Sequence, residues 1–206
     1  MAEVHPLHAV HYDLHEVDIA DVVAPPYDVI DDAQRAELAA RSPYNVVELD
    51  LPRDPEGGDP YEHAAELLGR WSQEGVLTRD SEPTIWALEQ DYTAPDGSRQ
   101  TRRGFLARVK LAPYGEGIRP HERTQPGPKE DRLRLTRATR HNLSPIFSLH
   151  PGDAWPHLEP AIGGDPWGEV TDADGTTHRV WPIQDAAIHA AIAEELRGGE
   201  LLIADG

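Results

Sequence analysis

Seven cationic side chains crowd into residues 119–140 of a chain that is otherwise strongly acidic. The whole sequence has 19 Lys and Arg against 37 Asp and Glu, a net charge of −18. Residues 119–140 hold seven cations and three acids, so this segment carries +4 and the remainder of the chain −22. A positive island on an acidic protein is suited to holding an anion such as a phosphate, while the bulk of the chain repels nucleic acid.

Four members of this island are the candidates for phosphate contacts: Arg123, Lys129, Arg132 and Arg137. Arginine matches a phosphate through two parallel hydrogen bonds, and lysine supplies a point charge. The chain has only two lysines, so a lysine at position 129 is unusual for this sequence. The alternative interpretation is a solvated, arginine-rich helix face that is balanced by the surrounding acids.

Other side chains in the island fit phosphoryl transfer, which needs cations on the phosphates and a group that orients a hydroxyl. Glu122 is either that group or the partner in a structural ion pair. His121 either orients the hydroxyl or shuttles a proton, or it only packs. Asp131 either approaches Mg²⁺ through a phosphate or caps a helix, and we expect the cap. Thr124 is expected to be a turn hydroxyl.

Two further features bear on the site. Residues 24–30 include two prolines, which predict a rigid extended turn, and we expect this turn to form a wall near the site. Tyr27 and Asp28 in the turn are therefore candidate substrate contacts. The histidines at positions 5, 8, 11 and 15 lack metal-like geometry on any predicted element, so we predict no metal site.

Composition excludes several classes of protein. The sequence has no cysteine, which excludes disulfides, thiolate catalysis and cysteine metal sites. No apolar run approaches the ~20 residues of a membrane span, and no secretory signal is visible at the N-terminus. We therefore expect a cytoplasmic protein with no membrane partner. A net charge of −18 argues against sequence-independent nucleic-acid binding, which needs a broad basic surface.

Apolar periodicity and turn residues predict an α/β or α+β fold with a mixed sheet and flanking helices. Aspartates are expected to cap two helices, one at Asp31 or Asp32 and one at Asp59, where Pro60 follows. Asp-Gly turns predict two β-hairpins, with turns at residues 95–98 and 174–175. Further helices are predicted over 129–141 and 184–197, and further strands over 46–51, 144–149 and 201–203.

The last predicted strand leads directly into Asp205 and Gly206. A buried strand followed by Asp-Gly is typical of a turn into another element. We therefore expect the sequence to be cut in mid-fold. The truncated edge would expose apolar surface and favour self-association.

Several segments together resemble a bacterial and archaeal family called domain of unknown function 1015. The resemblance is most specific in Pro-His-Glu-Arg-Thr followed by Gly-Pro-Lys-Glu-Asp-Arg-Leu, which is residues 120–124 and 127–133. Members are about twice this length and continue after Asp-Gly with His-His-Arg, so the chain resembles the N-terminal half of such a protein. The other matching segments, in the same order as in the family, are residues 24–30, 43–45, 61–77, 103–105, 134–135, 138–142, 144–147 and 202–206.

The His-Glu pair and the terminal Asp-Gly are similar to the paired motifs of free-serine kinases with a ParB/sulfiredoxin-like fold. In those enzymes a glutamate acts as base on the substrate hydroxyl, and the His-His-Arg turn helps to bind phosphates. The resemblance implies that Glu122 is the base, with His121 beside it. It also implies that Asp205 and Gly206 begin a nucleotide-binding turn.

These expectations combine into one hypothesis. Residues 1–111 would form an N-terminal α/β region with a β-hairpin, and residues 112–206 an incomplete ParB/sulfiredoxin-like phosphate-binding region. The function would be that of a kinase-like phosphotransferase, using ATP, ADP or pyrophosphate with Mg²⁺ and a small hydroxyl metabolite such as serine. We expect this fragment alone to be inactive. The alternative is a non-catalytic nucleotide- or anion-binding regulatory protein.

Overall fold

The computed structural model describes residues 2–54, 56–123 and 126–205, and it confirms a mixed α/β fold. The strands are β1 (Val4–His5), β2 (Val10–Tyr12), β3 (Leu77–Arg79), β4 (Ile85–Thr93), β5 (Arg99–Leu106), β6 (Arg108–Val109), β7 (Ile118–Arg119), β8 (Phe147–Leu149), β9 (Gly168–Thr171), β10 (Thr177–Ile183) and β11 (Leu201–Asp205). The α-helices are α1 (Ile19–Val22), α2 (Asp32–Arg41), α3 (Val47–Asp50), α4 (Pro60–Gln73), α5 (Pro126–Thr139), α6 (Trp155–Leu158) and α7 (Ala186–Leu196), with short 3₁₀ helices at Tyr27–Val29 and Glu159–Ala161.

Contacts divide the chain into two compact units that alternate along the sequence. Of the described residues, unit 1 comprises 2–9, 79–121 and 146–205. Unit 2 comprises the described residues within 10–78 and 122–145. The domain boundary predicted between residues 111 and 112 lies within the 79–121 segment of unit 1. The assignment of phosphate binding to residues 112–206 stays a prediction.

Unit 1 is built around a four-stranded antiparallel sheet in the order β5-β4-β10-β9. Both predicted hairpins are confirmed, because β4 pairs with β5 and β9 pairs with β10. In the first turn Gly97 has a φ of 84°, a conformation that costs a residue with a Cβ but not glycine. Helices α6 and α7 contribute Leu158, Ile192 and Leu196 to the buried core of this unit.

Ion pairs across the strands lie on the same face of the sheet as the buried Ala87 and Trp181, since alternate residues of a strand share a face. Arg179 on the central strand β10 pairs with an acid on each neighbouring strand. Its Nη1 lies 2.7 Å from Asp91 Oδ2 on β4, and its Nε forms an ion pair with Glu169 on β9. Arg103 on β5 in turn donates to Glu89 on β4 at 3.2 Å. Opposite charges facing each other across strands fix the pairing register as well as adding stability.

The strand predicted at residues 201–203 is present as β11, but it is not an edge strand. It lies in the centre of a mixed three-stranded sheet, parallel to β7 and antiparallel to β8. The prediction that this strand leaves an open sheet edge is therefore wrong, because β11 is paired on both sides. Leu201 and Ile203 point to the buried face, while Leu202 is 42% exposed.

Unit 2 is mainly helical, and two of its helices, α2 and α4, begin at the predicted capping aspartates. The Asp31 side chain accepts from Gln34 N at the start of α2, and Asp59 accepts from Tyr61 N at the start of α4. Helix α4 buries Leu68 and Trp71 in the core of unit 2. The predicted helix over 129–141 is also confirmed as α5, which begins three residues earlier than expected.

The strand predicted over residues 46–51 is wrong, since this segment forms the short helix α3. The cause is Asn45, which is fully buried and uses its side chain three times. Its amide Nδ2 donates to the carbonyls of Asp21 and Val23, and its Oδ1 accepts from Val47 N. These bonds start a helical turn and override the strand preference of the β-branched residues that follow.

The expectation that Asp131 caps a helix is also wrong. Helix α5 begins at Pro126, so Asp131 lies in the interior of the helix. Its carboxylate instead binds side chains, as described below. None of the helices in the described residues is long and apolar enough to cross a membrane.

Gly199, which follows α7, has a steric reason to be glycine. A Cβ at this position would lie 2.0 Å from Nε2 of His150, far inside van der Waals contact. His150 cannot turn away without loss, because its Nδ1 accepts a 2.8 Å hydrogen bond from Gly152 N. At the preceding residue, Gly198, a Cβ would meet nothing within 4 Å.

We expect Gly199→Ala to lower the free energy of unfolding by about 1–2 kcal/mol, the usual cost of overpacking a site that can partly relax. Gly198→Ala is the matched control and should be neutral or slightly stabilising, since it only restricts the unfolded chain. Urea denaturation of both variants measures the difference. Equal stabilities for the two variants would show that His150 moves at no cost.

Candidate functional site

Arg132, on the inner side of α5, is the best-connected cation of unit 2. Its Nη1 donates to Asp50 Oδ1 at 2.9 Å, while Nε and Nη2 both donate to Asp131 Oδ2, at 2.8 and 2.6 Å. Its guanidinium carbon lies 3.9 Å from the centre of the Tyr27 ring. The side chain is only 22% exposed, so these contacts are partly shielded from water.

Helical spacing explains why Arg132 faces inward. Leu135 and Thr139, at three and seven residues beyond it, are the buried residues of α5 and lie on the same side of the helix. Thr139 Oγ1 donates to the Leu135 carbonyl at 2.8 Å, which keeps this hydroxyl satisfied within the helix. The buried end of α5 thus anchors the helix and turns Arg132 toward α3 and α4 of the same unit.

Both carboxylates around Arg132 have a second partner. Tyr61 Oη on α4 donates to Asp131 Oδ1 at 2.7 Å, and Ser144 Oγ donates to Asp50 at 2.9 Å. Burial alone would raise the pKa of Asp131, but the hydrogen bonds from Tyr61 and Arg132 outweigh it and hold the pKa below its ordinary value. The same hydrogen bond to Asp131 raises the pKa of the Tyr61 hydroxyl. Asp131 is therefore an anchoring anion rather than a base near neutral pH.

A small cavity of about 160 Å³ opens beside this cluster. Its wall combines the start of α2, the segment after α3, the start of α4 and the inner side of α5. The lining residues carry charges of both signs, and they are Ile30, Asp31, Asp32, Arg35, Leu51, Pro52, Arg53, Pro60, Tyr61, Asp131 and Arg132.

Arg35 is the buried cation of this cavity, with a side chain only 9% exposed. Its Nε donates to the Leu51 carbonyl and its Nη2 to Glu48 Oε2, both at 2.8 Å. Nη1 has no hydrogen bond among the described residues. Arg35 is one of the residues that line the cavity.

Other charges around the cavity are already paired. Arg53 forms an ion pair with Asp32 at the cavity wall. Arg134, further along α5, pairs with Asp59 at 3.0 Å and lies 4.3 Å from the centre of the Tyr61 ring. These pairs hold the ends of α2 and α4 in place around the opening, although exposed pairs of this kind each contribute little stability.

The structure brings two of the predicted site residues together, namely Tyr27 and Arg132. Asp28 lies beside Tyr27 in the 3₁₀ helix and is exposed. Lys129 and Arg137 on α5 are exposed and take part in no ion pair among the described residues. Of the phosphate contacts expected on α5, Arg132 is therefore largely shielded from water, whereas Lys129 and Arg137 are exposed.

The remaining predicted site residues lie at unit ends or outside the described residues. Glu122 and Arg123 are exposed and precede α5 in unit 2. His121 is exposed and is the last residue of the middle segment of unit 1. Asp205 is the exposed last residue of β11, also in unit 1. Gly206 and Thr124 lie outside the described residues.

Sequence reasoning missed three residues of the site. Asp50 lies inside the wrongly predicted strand. Tyr61 precedes Ala64 by three residues and Leu68 by seven, a helical spacing that indicates packing rather than a site. Nothing in the sequence indicated that Arg35 is buried at a site, because a lone arginine on a polar helix is normally solvated. The segment gave no local signal for Asp50, because Asn45 starts α3 through carbonyls more than 20 residues earlier.

The described residues contain no group of three or more His, Cys, Asp or Glu side chains that could hold a metal ion. Mg²⁺ that arrives with a phosphate donor needs only one or two carboxylates from the protein, the rest of its ligands being phosphate oxygens and water. The structure thus does not define a metal position.

The fold and site define a mixed α/β protein with a small cavity that is lined by charges of both signs. The chain belongs to the family described as "Protein of unknown function (DUF1015)", which it matches over residues 4–206. No curated protein and no solved structure matches the chain. The ParB/sulfiredoxin-like core and the similarity to free-serine kinases therefore stay predictions.

We expect Asp131→Asn to lower the free energy of unfolding by about 1 kcal/mol at pH 7, since it weakens charge-assisted hydrogen bonds that are partly exposed. A carboxyl whose pKa is lowered by folding stabilises the protein above its unfolded pKa of about 3.9, and this stabilisation is lost as the pH falls. The difference from wild type should therefore shrink between pH 5 and pH 3.

Urea denaturation at pH 7, 5, 4 and 3 measures this trend. The control is Asp165→Asn, at an exposed aspartate with no ion pair among the described residues. A difference for Asp131→Asn that stayed constant with pH would contradict an ionised, hydrogen-bonded Asp131.

Proposed function

We propose that the protein is a kinase-like phosphotransferase that moves phosphate from a nucleotide or pyrophosphate donor to a small hydroxyl metabolite such as serine. One observation carries the proposal. The outward cation Lys129 lies three residues before Arg132, which lines the cavity, and side chains three apart on a helix are neighbours. A phosphate group held by Lys129 would thus lie close to a small molecule in the cavity.

Because the cavity is small, we propose different places for the two substrates. A cavity of about 150 Å³ is large enough to bind a molecule of the size of benzene, so one of 160 Å³ suits a ligand of only a few heavy atoms. A nucleotide, with about 30 heavy atoms, is far too large for such a volume, whereas a small hydroxyl metabolite fits. The donor would accordingly bind outside, along the exposed cations of α5, and only its terminal phosphate would approach the cavity.

In this proposal the chain's own residues position the reactants and move one proton. Lys129, Arg137 and Arg123 hold the donor's phosphate oxygens, and Glu122 accepts the proton of the acceptor hydroxyl. The acceptor oxygen forms a bond to the terminal phosphorus, and the bond from that phosphorus to the bridging oxygen breaks. Mg²⁺ bound with the donor supplies charge neutralisation. His121, the chain neighbour of Glu122, would orient the hydroxyl.

A non-catalytic anion-binding regulator is the second candidate, and one observation favours it. Arg132, the island cation that lines the cavity, is already bound by two carboxylates. It would have to give up one of them to contact a phosphate. Anion binding by the outer cations without phosphate transfer is the behaviour expected of such a regulator.

The anion site gives a test that does not depend on turnover. Phosphate, pyrophosphate and ADP should raise the melting temperature, by more at low salt than at high salt because exposed charges are screened. Ligand at 100 times its Kd would raise it by roughly 5–10 °C in a protein of this size. Replacing both Lys129 and Arg137 by Gln should remove most of the rise.

The control is the charge-matched pair Arg41→Gln and Arg99→Gln, two exposed arginines outside α5 that form no ion pair among the described residues. If this control pair lost the shift as well, the effect would be one of net charge. A shift retained in full by the Lys129 and Arg137 double variant would place the anion elsewhere.

Catalysis is tested by Glu122→Gln in the complete gene product, with serine and other small alcohols as acceptors. Gln keeps the shape of the side chain and removes its basicity, so turnover should fall by roughly 10²–10⁴. The anion-induced shift in melting temperature should remain. Turnover close to wild type would leave Glu122 as an ion-pair residue, and no turnover in wild type with an intact shift would favour the regulator.

A further inference from the structure

Strand β5 is an edge of the four-stranded sheet of unit 1, since among the described residues it pairs only with β4. Ala94 N donates to the Ser98 carbonyl at the hairpin turn, and hydrogen-bonded pairs alternate from there along the antiparallel ladder. Every second residue of β5 therefore directs its backbone N–H and C=O away from the sheet, among them the exposed Thr101 and Arg103. These groups form no other backbone hydrogen bond within the described part of the chain.

This edge is also positively charged. Residues 99–110, which include β5 and β6, hold five arginines and lysines and no acidic residue. The two acids that lie opposite β5 on β4, Glu89 and Asp91, are each bound by an arginine, at 3.2 and 2.7 Å. Asp96 in the turn accepts two hydrogen bonds from the serine two residues later. Arg102, in contrast, forms no ion pair among the described residues.

Arg102 is exposed and lies on the other face of the sheet from the two acids of β4, because it is paired with Gln90 between them. Its guanidinium carbon lies 5.1 Å from the centre of the Tyr92 ring and 5.9 Å from that of Phe147 on β8, and Nη1 donates to Gln90 Oε1 at 3.5 Å. A guanidinium that stacks through its flat face keeps the N–H donors at its edge for a carboxylate. The rings also restrict its rotamers, so less entropy is lost when a ligand orders it.

Gly104, two residues after Arg102, leaves a gap on the same face. A Cβ at this position would meet nothing within 4 Å. The half-buried Leu88 lies opposite it on β4 and is thus left without a side-chain neighbour on β5. A large apolar side chain on a strand added beyond β5 would reach over the glycine to Leu88, since side chains opposite each other across strands pack together.

We propose that β5 is a docking edge for an extended acidic segment of another protein, which adds to the sheet as an antiparallel fifth strand. The backbone groups that face away from the sheet supply the hydrogen bonds of the new ladder. Specificity comes from two side chains of the segment. One is a carboxylate opposite Arg102, and the other is a large apolar side chain opposite Gly104, two residues earlier in the segment.

The net charge of −18 does not oppose this contact at physiological salt. Charges separated by more than about 8 Å are then largely screened, so the side chains at the edge decide the local interaction. The same cations disfavour a second copy of this chain as the occupant, because two β5 edges would place like charges side by side.

Three heptapeptides test the docking edge. The first is acetyl-Thr-Thr-Phe-Thr-Glu-Thr-Thr-amide, which places Phe opposite Gly104 and Glu opposite Arg102. The second has Lys in place of Glu, and the third has Pro in place of the Thr between Phe and Glu, which removes an N–H of the added strand. Fluorescence anisotropy should show the first peptide binding at least tenfold more tightly than either of the others. Equal affinity of the first peptide and either of the others overturns the proposal, and so does no binding of the first peptide at about 1 mM.

Hydrogen exchange measured by NMR locates the peptide. On binding of the first peptide, the backbone N–H groups of Thr101 and Arg103 should exchange at least tenfold more slowly, because they face the added strand. Those of Gln100 and Arg102, which face β4, should change little. Protection of β9, the other edge of the sheet, would reject β5 as the site. Exchange that slowed with protein concentration in the absence of peptide would make a second copy the occupant, which also overturns the proposal.

The decisive variant is Arg102→Glu, which reverses the charge of one exposed side chain. It should bind the Lys peptide more tightly than the Glu peptide, a reversal that loss of folding cannot produce. The matched control is Arg108→Glu, at an exposed arginine of β6 that forms no ion pair among the described residues. This control should keep the wild-type preference. If Arg102→Glu still preferred the Glu peptide, Arg102 would not be the partner of the acidic residue and the proposal would fail.

Discussion

The guanidinium of Arg132, placed between Asp50 and Asp131 and above the Tyr27 ring, is the contact on which unit 2 most depends. Through these partners it joins α5 to α3 and to the proline-rich turn. Asp131 extends the connection to Tyr61 on α4. Breaking such a pair leaves two partly buried carboxylates without their cation, which costs far more than the pair itself contributes. The walls of the cavity are thus held by one residue that faces it.

Local signals in the sequence predicted much of the fold. Asp31 and Asp59 mark helix starts because an aspartate side chain accepts the free N–H groups of a first turn, wherever the helix packs. Gly97 and Gly175 mark hairpin turns because both need a positive φ, at 84° and 80°. In each case the physical cause lies within a few residues, so the chain alone reveals it.

The site was harder to predict, because its determinants are distant in sequence. Asn45 starts α3 by binding the carbonyls of Asp21 and Val23, more than 20 residues earlier, and no local pattern shows this. The same applies to Arg132 and Asp50, which are 82 residues apart. The concentration of cations in residues 119–140 correctly drew attention to Arg132. It could not show which of them point inward and which remain in water.

The alternation of the two units along the chain has a consequence for the order of folding. All of unit 2 lies within residues 10–145, so a ribosome can deliver it whole while most of unit 1 is still unmade. Val4 of β1, in contrast, packs with Ile192 and Leu196, so it must wait for partners nearly 190 residues away. Contacts of such long sequence separation form slowly and leave apolar surface exposed in the meantime. Unit 1 is therefore the part of this protein most in need of protection from aggregation during synthesis.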